Sequence, residues 1–162
     1  RITVHSRNPA RRKEFSDRAA AELGLTVDPC DQARDAVTDA DMVVLATSSP
    51  TPVIDTSWLR PNVVVTTMGP KQVGRAESPP DLVTGAVFAV TDSIDQLRSY
   101  DPPALTAAMS GMLELAHLVT GTVKAPTAGR RIYCSVGLAG SEVHLLGRLA
   151  ERARSPHATD SS

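Results

Sequence analysis

The sequence predicts an α/β fold, a doubly wound parallel sheet, and three observations lead to it. Short apolar runs recur along the chain, chiefly Met42 to Ala46, Asn62 to Thr67 and Ala86 to Asp92. Helix-like segments separate them, which implies βα units around a parallel sheet. The runs end in small or polar residues, and ligands bind at the carboxyl ends of strands in such sheets. At 162 residues the chain is long enough for one domain with its own core.

Ile2 to His5 is predicted as a short strand, and Pro9 suits the start of the helix that follows, where its missing N–H costs little. Arg11 to Leu23 is helical by composition, with Phe15, Ala19 and Leu23 on one face and Gly24 as its stop. Leu25 to Val27 makes a brief strand, and Asp31 is placed to cap a short helix through Ala36. Met42 to Ala46 is the near-continuous kind of strand that a parallel sheet buries on both faces. Asn62 to Thr67 is a second such strand, and the stretch MGPKQVGRAESPP after it is a polar loop. A third run ends at Asp92, and Ser93 to Ser99 is predicted helical. Ala104 to Val119 is expected to form one longer helix, with Leu105, Met109, Met112, Leu113, Ala116 and Val119 on a stripe. IYCSVGLAG is a short strand turning through Gly137 into a last helix that runs to about Arg154. The expected organisation is one domain over 1–154 with a frayed, disordered tail over 155–162, which has no apolar anchor.

Bulk properties narrow the function. Aromatic residues are only 3% of the chain, so the core must rest on Val, Leu, Ala and Ile. A net charge of −1 argues against a nucleic-acid or membrane surface. The longest apolar run is too short to span a bilayer, and no signal peptide is visible. Cys30 and Cys134 are far apart and suit free thiols in a reducing cytoplasm. No metal is expected, because His5, His117, His144 and His157 are scattered without ligand spacing.

The most informative strand end is Ser6-Arg7-Asn8, with Arg11 and Arg12 close behind. In a dinucleotide-binding fold the residue ending the second strand meets the adenosine ribose. An acidic residue there accepts from the 2′-hydroxyl of NAD, whereas a basic one faces the 2′-phosphate of NADP. Arg7 offers a planar fork suited to phosphate, and Ser6 and Asn8 add donors. The alternative is a solvated basic helix start, the commoner reading on spacing alone. Arginines at a helix N-terminus oppose its dipole, however, which favours a bound anion. If Ile2 to His5 is the second strand, the first is missing, together with its G-x-G-x-x-G turn. GLAG at Gly137 and GPKQVG at Gly69 do not have that spacing. The predicted fold is therefore a partial Rossmann-type sheet without its central first strand and glycine-rich turn, in a fragment of a longer protein.

Five stretches, VHSRNPARRKEF, DADMVVLATSSPTPVID, WLRPNVVVTTMGPKQVGRAE, VTDSIDQ and IYCSVGLAGSEV, resemble in order the ornithine cyclodeaminase / mu-crystallin family. ATSSPTPVID followed by WLRPN, and the closing CSVGLAG, are the most specific. The resemblance implies a homodimer of two-domain subunits. Its NAD(P)-binding Rossmann half is represented here, with a return segment. Hydride would pass between nicotinamide and a carbon bearing nitrogen on a small amino or imino acid. By the same resemblance Ser6, Arg7 and Asn8, with Arg12 behind them, meet the ribose phosphate. Thr47, Ser48 and Ser49 lie along the cofactor, as does Gly69. Ser135, Gly137 and Leu138 belong to the turn beside the nicotinamide.

One departure bears on activity. The family's cyclodeaminases carry an acid/base aspartate in the loop after the fifth strand, and here that position falls on Lys71. A lysine begins as a cation and is no substitute for a carboxylate. It can attract a substrate carboxylate or donate a proton, or it can be an ordinary loop lysine. As the candidate catalytic residue, Lys71 favours ketimine reduction over ornithine deamination. Asp92 is expected to cap the next helix, with a cofactor or substrate contact as the lesser possibility. Glu77 is expected in a surface ion pair, with a loop-ordering role as the alternative. Cys134 is read as a small buried hydrophobe. The rivals are another Rossmann dehydrogenase and a non-catalytic NADPH or small-ligand binder. The segment alone is expected to be inactive, because it lacks the phosphate-cradling turn.

Overall fold

A computed structural model describes residues 1–137 and 139–154. Leu138 and the tail over 155–162 lie outside the described residues. The strands are β1 (Ile2–Val4), β2 (Val27–Pro29), β3 (Met42–Leu45), β4 (Val64–Thr67), β5 (Lys71–Gln72), β6 (Arg75–Ala76), β7 (Phe88–Thr91), β8 (Leu113–Glu114) and β9 (Arg131–Cys134). The helices are α1 (Pro9–Leu23), α2 (Ala33–Val37), α3 (Pro80–Thr84), α4 (Ile94–Arg98), α5 (Leu115–Val119) and α6 (Ala139–Arg154).

Five strands form a parallel sheet in the order β3-β4-β9-β7-β8. β1 pairs only with β2, also in parallel, in a separate two-stranded sheet. β1 and β3 are not hydrogen-bonded to each other, and β3 is an end strand of the larger sheet. In the doubly wound order the strand that precedes β1 in sequence lies between these two positions. The partial Rossmann-type architecture is therefore present, with the strand alternation read from the apolar runs.

The core lies on one face of the larger sheet. Val63 and Val65 are fully buried, and Leu45, Ile54, Leu82 and Ile132 pack around them. Burial of each such aliphatic side chain contributes about 1.5–3 kcal/mol. The expectation that Met42 to Ala46 is buried on both faces is not met. Val43 and Leu45 are buried, but Met42 and Val44 remain exposed on the opposite face. Alternation, not a continuous apolar run, describes the packing of β3.

α1 begins and ends as its sequence dictates. Asn8 caps it by accepting from the Arg11 amide, Pro9 occupies the first turn, and Gly24 closes it at φ +63°. Its packed face is not the apolar stripe, however. Arg12 and Ser16 are buried, while Phe15 and Leu23 are exposed. The helix packs on the small β1/β2 sheet and turns these two polar residues inward.

Three local expectations need correction. Ala104 to Val119 is not one helix: it comprises a 3-10 turn at Leu105–Ala108, then β8 and α5. Gly111 stands between them at φ +76°, a conformation that no regular helix contains. Asp31 does not cap α2; it pairs with Arg12. The polar loop after β4 holds the antiparallel β5/β6 hairpin, with Gly74 at φ +80° in its turn.

Candidate functional site

The carboxyl ends of the strands carry the chemistry. At the end of β1, Arg12 is 8% exposed. It donates to the Ser6 carbonyl at 2.9 Å and pairs with Asp31. Its guanidinium is thus engaged within the protein and braces the Ser6-Arg7-Asn8 loop from beneath. Arg7 is exposed and forms no ion pair among the described residues. Asn8 uses its side-chain carbonyl as the α1 cap, which leaves its NH2 group uncommitted. An anion arriving at this loop would meet Arg7 first, with Ser6 and Asn8 beside it.

The ends of β3 and β4 are tied together by Glu77, which sits between β6 and α3 and is fully buried. Its Oε2 accepts from the Thr47 amide at 2.7 Å and the Thr47 hydroxyl at 2.8 Å. Its Oε1 accepts from the Met68 amide at 3.1 Å and the Gly69 amide at 2.6 Å. Both oxygens act as acceptors in all four bonds. No salt bridge to Glu77 is present among the described residues, so the expected surface ion pair is replaced by a buried clasp. Thr47 in turn accepts from the Ser49 amide at 3.2 Å, and the Ser49 hydroxyl donates to the Thr51 carbonyl at 2.7 Å. Ser48 projects into solvent at the tip of this loop. Gly69 is required by packing: a Cβ there would lie 2.1 Å from the Thr47 carbonyl oxygen and 2.5 Å from Glu77 Oε2.

A second carboxylate organises the end of β9. Asp92 Oδ1 accepts from the Val136 amide at 2.7 Å. Its Oδ2 accepts from the Gly137 amide at 3.1 Å and the Ser135 hydroxyl at 3.2 Å. Burial acts to raise the Asp92 pKa, but these hydrogen bonds outweigh it and hold the group below the usual carboxylate value. The cap of α4 is instead Ser93, whose hydroxyl accepts from the Gln96 amide. The Gln96 side-chain amide donates to the carbonyls of Val136 at 3.0 Å and Gly137 at 3.2 Å. The Tyr100 hydroxyl donates to the Val136 carbonyl at 3.4 Å. Burial pushes the Tyr100 phenol above its ordinary pKa, with Cys134 and Asp92 adding to the shift, so it stays a neutral donor. Gly137, at φ +73°, takes the left-handed conformation that this turn needs. Leu138 lies outside the described residues.

Lys71 reaches the same region through the hairpin. Gln72 bridges to Ala104, and the Val73 amide donates to the Pro103 carbonyl. That docking brings Lys71 Nζ to 5.9 Å from the centre of the Tyr100 ring, within cation–π range. Lys71, Tyr100 and the Ser135–Gly137 turn are therefore connected by contacts. The Thr47–Ser49 and Gly69 loops are joined to each other by Glu77. Ser6, Arg7 and Asn8 stand on the separate small sheet.

Sequence reasoning missed Gln96 and Tyr100 and misassigned Asp92 as the α4 cap; for Glu77 the loop-ordering alternative holds and the surface ion pair does not. Asp92 had a signal in its position at a strand end. The partners of Glu77 could not be named from sequence, because they lie eight to thirty residues away. Among the described residues no group of three His, Cys, Asp or Glu is arranged to hold a metal, and no helix is long and apolar enough to cross a membrane.

The residues fit a dinucleotide in part. Arg7 offers an uncommitted guanidinium for a phosphate. The amides of Thr47, Met68, Gly69, Val136 and Gly137 are already taken by Glu77 and Asp92, so these loops form no phosphate cradle.

Known proteins resemble this chain in sequence and in fold. Rat ketimine reductase mu-crystallin is 24% identical over 129 residues, which cover 80% of this chain and 41% of that protein. The structure of Thermococcus litoralis Δ1-pyrroline-2-carboxylate reductase, in complex with NADH and L-proline, matches with a TM-score of 0.80 at 23% identity. That match covers 93% of this chain and 49% of the reductase. A lysine cyclodeaminase described with L-lysine, L-ornithine and L-2,4-diaminobutyric acid matches at 0.69 and 26% identity, covering 93% of this chain and 46% of its own. The chain thus spans about half the length of these proteins or less. The family model for ornithine cyclodeaminase/mu-crystallin matches residues 1–157. With that match over nearly all of its length, the chain belongs to the ornithine cyclodeaminase/mu-crystallin family.

Proposed function

We propose that this chain is the nucleotide-binding part of an NADP(H)-preferring oxidoreductase acting on a small amino or imino acid, and that it reduces cyclic ketimines in preference to deaminating ornithine. The observation that carries the reading is Lys71 over the ring of Tyr100, whose hydroxyl bonds the Ser135–Gly137 turn, at the position where the family's cyclodeaminases use an aspartate. The rat relative named a ketimine reductase supports it. When bound, the nicotinamide supplies or accepts the hydride. The chain's own contribution is to hold the ring's surroundings and to handle charge. Asp92, Gln96 and Tyr100 fix the Ser135–Gly137 turn. Lys71 Nζ is a hydrogen-bond donor of the type that can serve either an imine nitrogen or a substrate carboxylate. A general base, which deamination needs, is lacking at this position.

The NADP preference rests on Arg7, exposed and unpaired at the end of β1 with Ser6 and Asn8 adjoining. The open edges of β1 and β3 support a further strand between them, bearing the phosphate-binding turn. Residues 1–154 form the Rossmann part of a longer two-domain subunit, inactive by themselves. That subunit acts as a homodimer through its other domain. The free thiols of Cys30 and Cys134 suit a reducing cytoplasm.

The test is oxidation of NADPH and NADH by the full-length protein with cyclic imino acids such as Δ1-pyrroline-2-carboxylate. Turnover preferring NADPH, with no ammonia released from ornithine, supports the reading. Tight NADPH binding without turnover favours a non-catalytic binder instead. Deamination of ornithine at a comparable rate removes the case built on Lys71.

A further inference from the structure

We propose that Glu77 is a positioning residue for the cofactor: it sets the separation of the two strand-end loops against which the dinucleotide lies. The inference rests on the nucleotide-binding reading given above, and it concerns a residue that never touches the ligand.

Three features of the structure carry it. Glu77 is fully buried, and its side chain makes four hydrogen bonds, all of them to the two loops. One oxygen serves the loop after β3 and the other serves the loop after β4, so a single carboxyl group spans the gap. Gly69 is pressed so closely against the Thr47 carbonyl and Glu77 that no side chain fits there. The loops thus meet without the freedom to slide. The segment carrying Glu77 is itself anchored: its amide donates to the Pro70 carbonyl at 2.8 Å, and its carbonyl accepts from the Val53 amide at 2.9 Å. The two loops are therefore held to one rigid post, with their amides turned inward and away from any ligand. A cofactor lying across the strand ends would meet the outer surface of a pre-formed ledge. Pre-forming that ledge avoids the cost of ordering it on binding.

Glu77→Gln keeps the shape of the side chain and replaces one acceptor oxygen with a donor NH2, which faces either the two Thr47 donors or the two loop amides. Full-length protein and the variant should be compared for binding of NADPH and of adenosine 2′,5′-bisphosphate, a probe of the adenosine end that lacks the nicotinamide half. The dissociation constant for NADPH should rise about tenfold, the loss of roughly one charge-assisted hydrogen bond's worth of order. That for the adenosine probe should stay unchanged. Hydrogen exchange at the Thr47, Met68 and Gly69 amides should quicken in the variant without any ligand. Should Glu77→Gln fail to fold, Glu77→Asp retains the charge on a shorter arm and should show the same split. Equal weakening of both ligands, or no weakening of either, overturns the inference and leaves the nucleotide-binding reading standing. Wild-type protein that binds neither ligand removes both.

Discussion

Asp92 Oδ1 accepts the Val136 amide hydrogen across 2.7 Å, so a residue just past the end of β7 holds the turn that leaves β9. The two strands are neighbours, with Thr91 opposite Cys134. The carboxylate therefore reaches across one strand spacing to fix the path of the chain towards α6. Glu77 does the same for β3 and β4. The β3/β4 and β7/β9 ends are thus each closed by one acidic side chain and two or three main-chain donors.

Acid should loosen the Asp92 turn. Its folded pKa is depressed, so its contribution to stability is fully present above the unfolded value of about 3.9 and is lost as pH falls through the lower folded value. In Asp92→Asn this part of the acid dependence should disappear, and the variant should be less stable than wild type at neutral pH. Urea midpoints at pH 7 and pH 3 measure both effects. A variant with the unaltered acid profile would show that the hydrogen bonds do not favour the ionised form.

Gly69→Ala introduces a Cβ into the Thr47 carbonyl and the Glu77 carboxyl, both held by neighbouring contacts. Overpacking of this kind costs about 1–3 kcal/mol. The loss should appear as a lower urea midpoint with unchanged m-value. Ala at Gly85 meets chiefly the end of the Arg130 side chain, a flexible obstacle, and should cost less. If the two substitutions are equally mild, the contact between the loops is looser than the distances indicate.

Arg7→Ala should separate the two cofactors. An exposed guanidinium contacting a 2′-phosphate contributes roughly 1.5–3 kcal/mol, about ten- to a hundredfold in affinity. NADPH binding to the full-length protein should weaken by that factor while NADH binding hardly changes. Isothermal titration at fixed ionic strength reads the difference. Because Arg12 is engaged with Ser6 and Asp31, it should not take over the role of Arg7. Loss of both affinities alike would place the phosphate elsewhere.

Much of this protein is local and was therefore legible in its residues. The caps of α1 follow from Asn8, Pro9 and Gly24, because capping depends only on adjacent backbone groups. The parallel strands followed from their apolar runs, and the family from motifs that persist as linear strings. The division of the strands into two sheets also agrees with that reading, since β1 pairs with β2 and not with β3.

What tertiary structure alone decided is where the polar groups go. Arg7 and Arg12 look alike as letters, yet one is exposed and the other is buried beneath Ser6. Glu77 reads as a loop carboxylate, but a hairpin that folds back delivers it to amides eight and thirty residues away. The apparent stripe from Ala104 to Val119 likewise gave way to a turn, a strand and a short helix once β8 could pair with β7. Sequence determines which hydrogen bonds the backbone can make with its neighbours in the chain. Which distant donors a buried carboxylate satisfies depends on packing, because that requirement arises only when water is excluded.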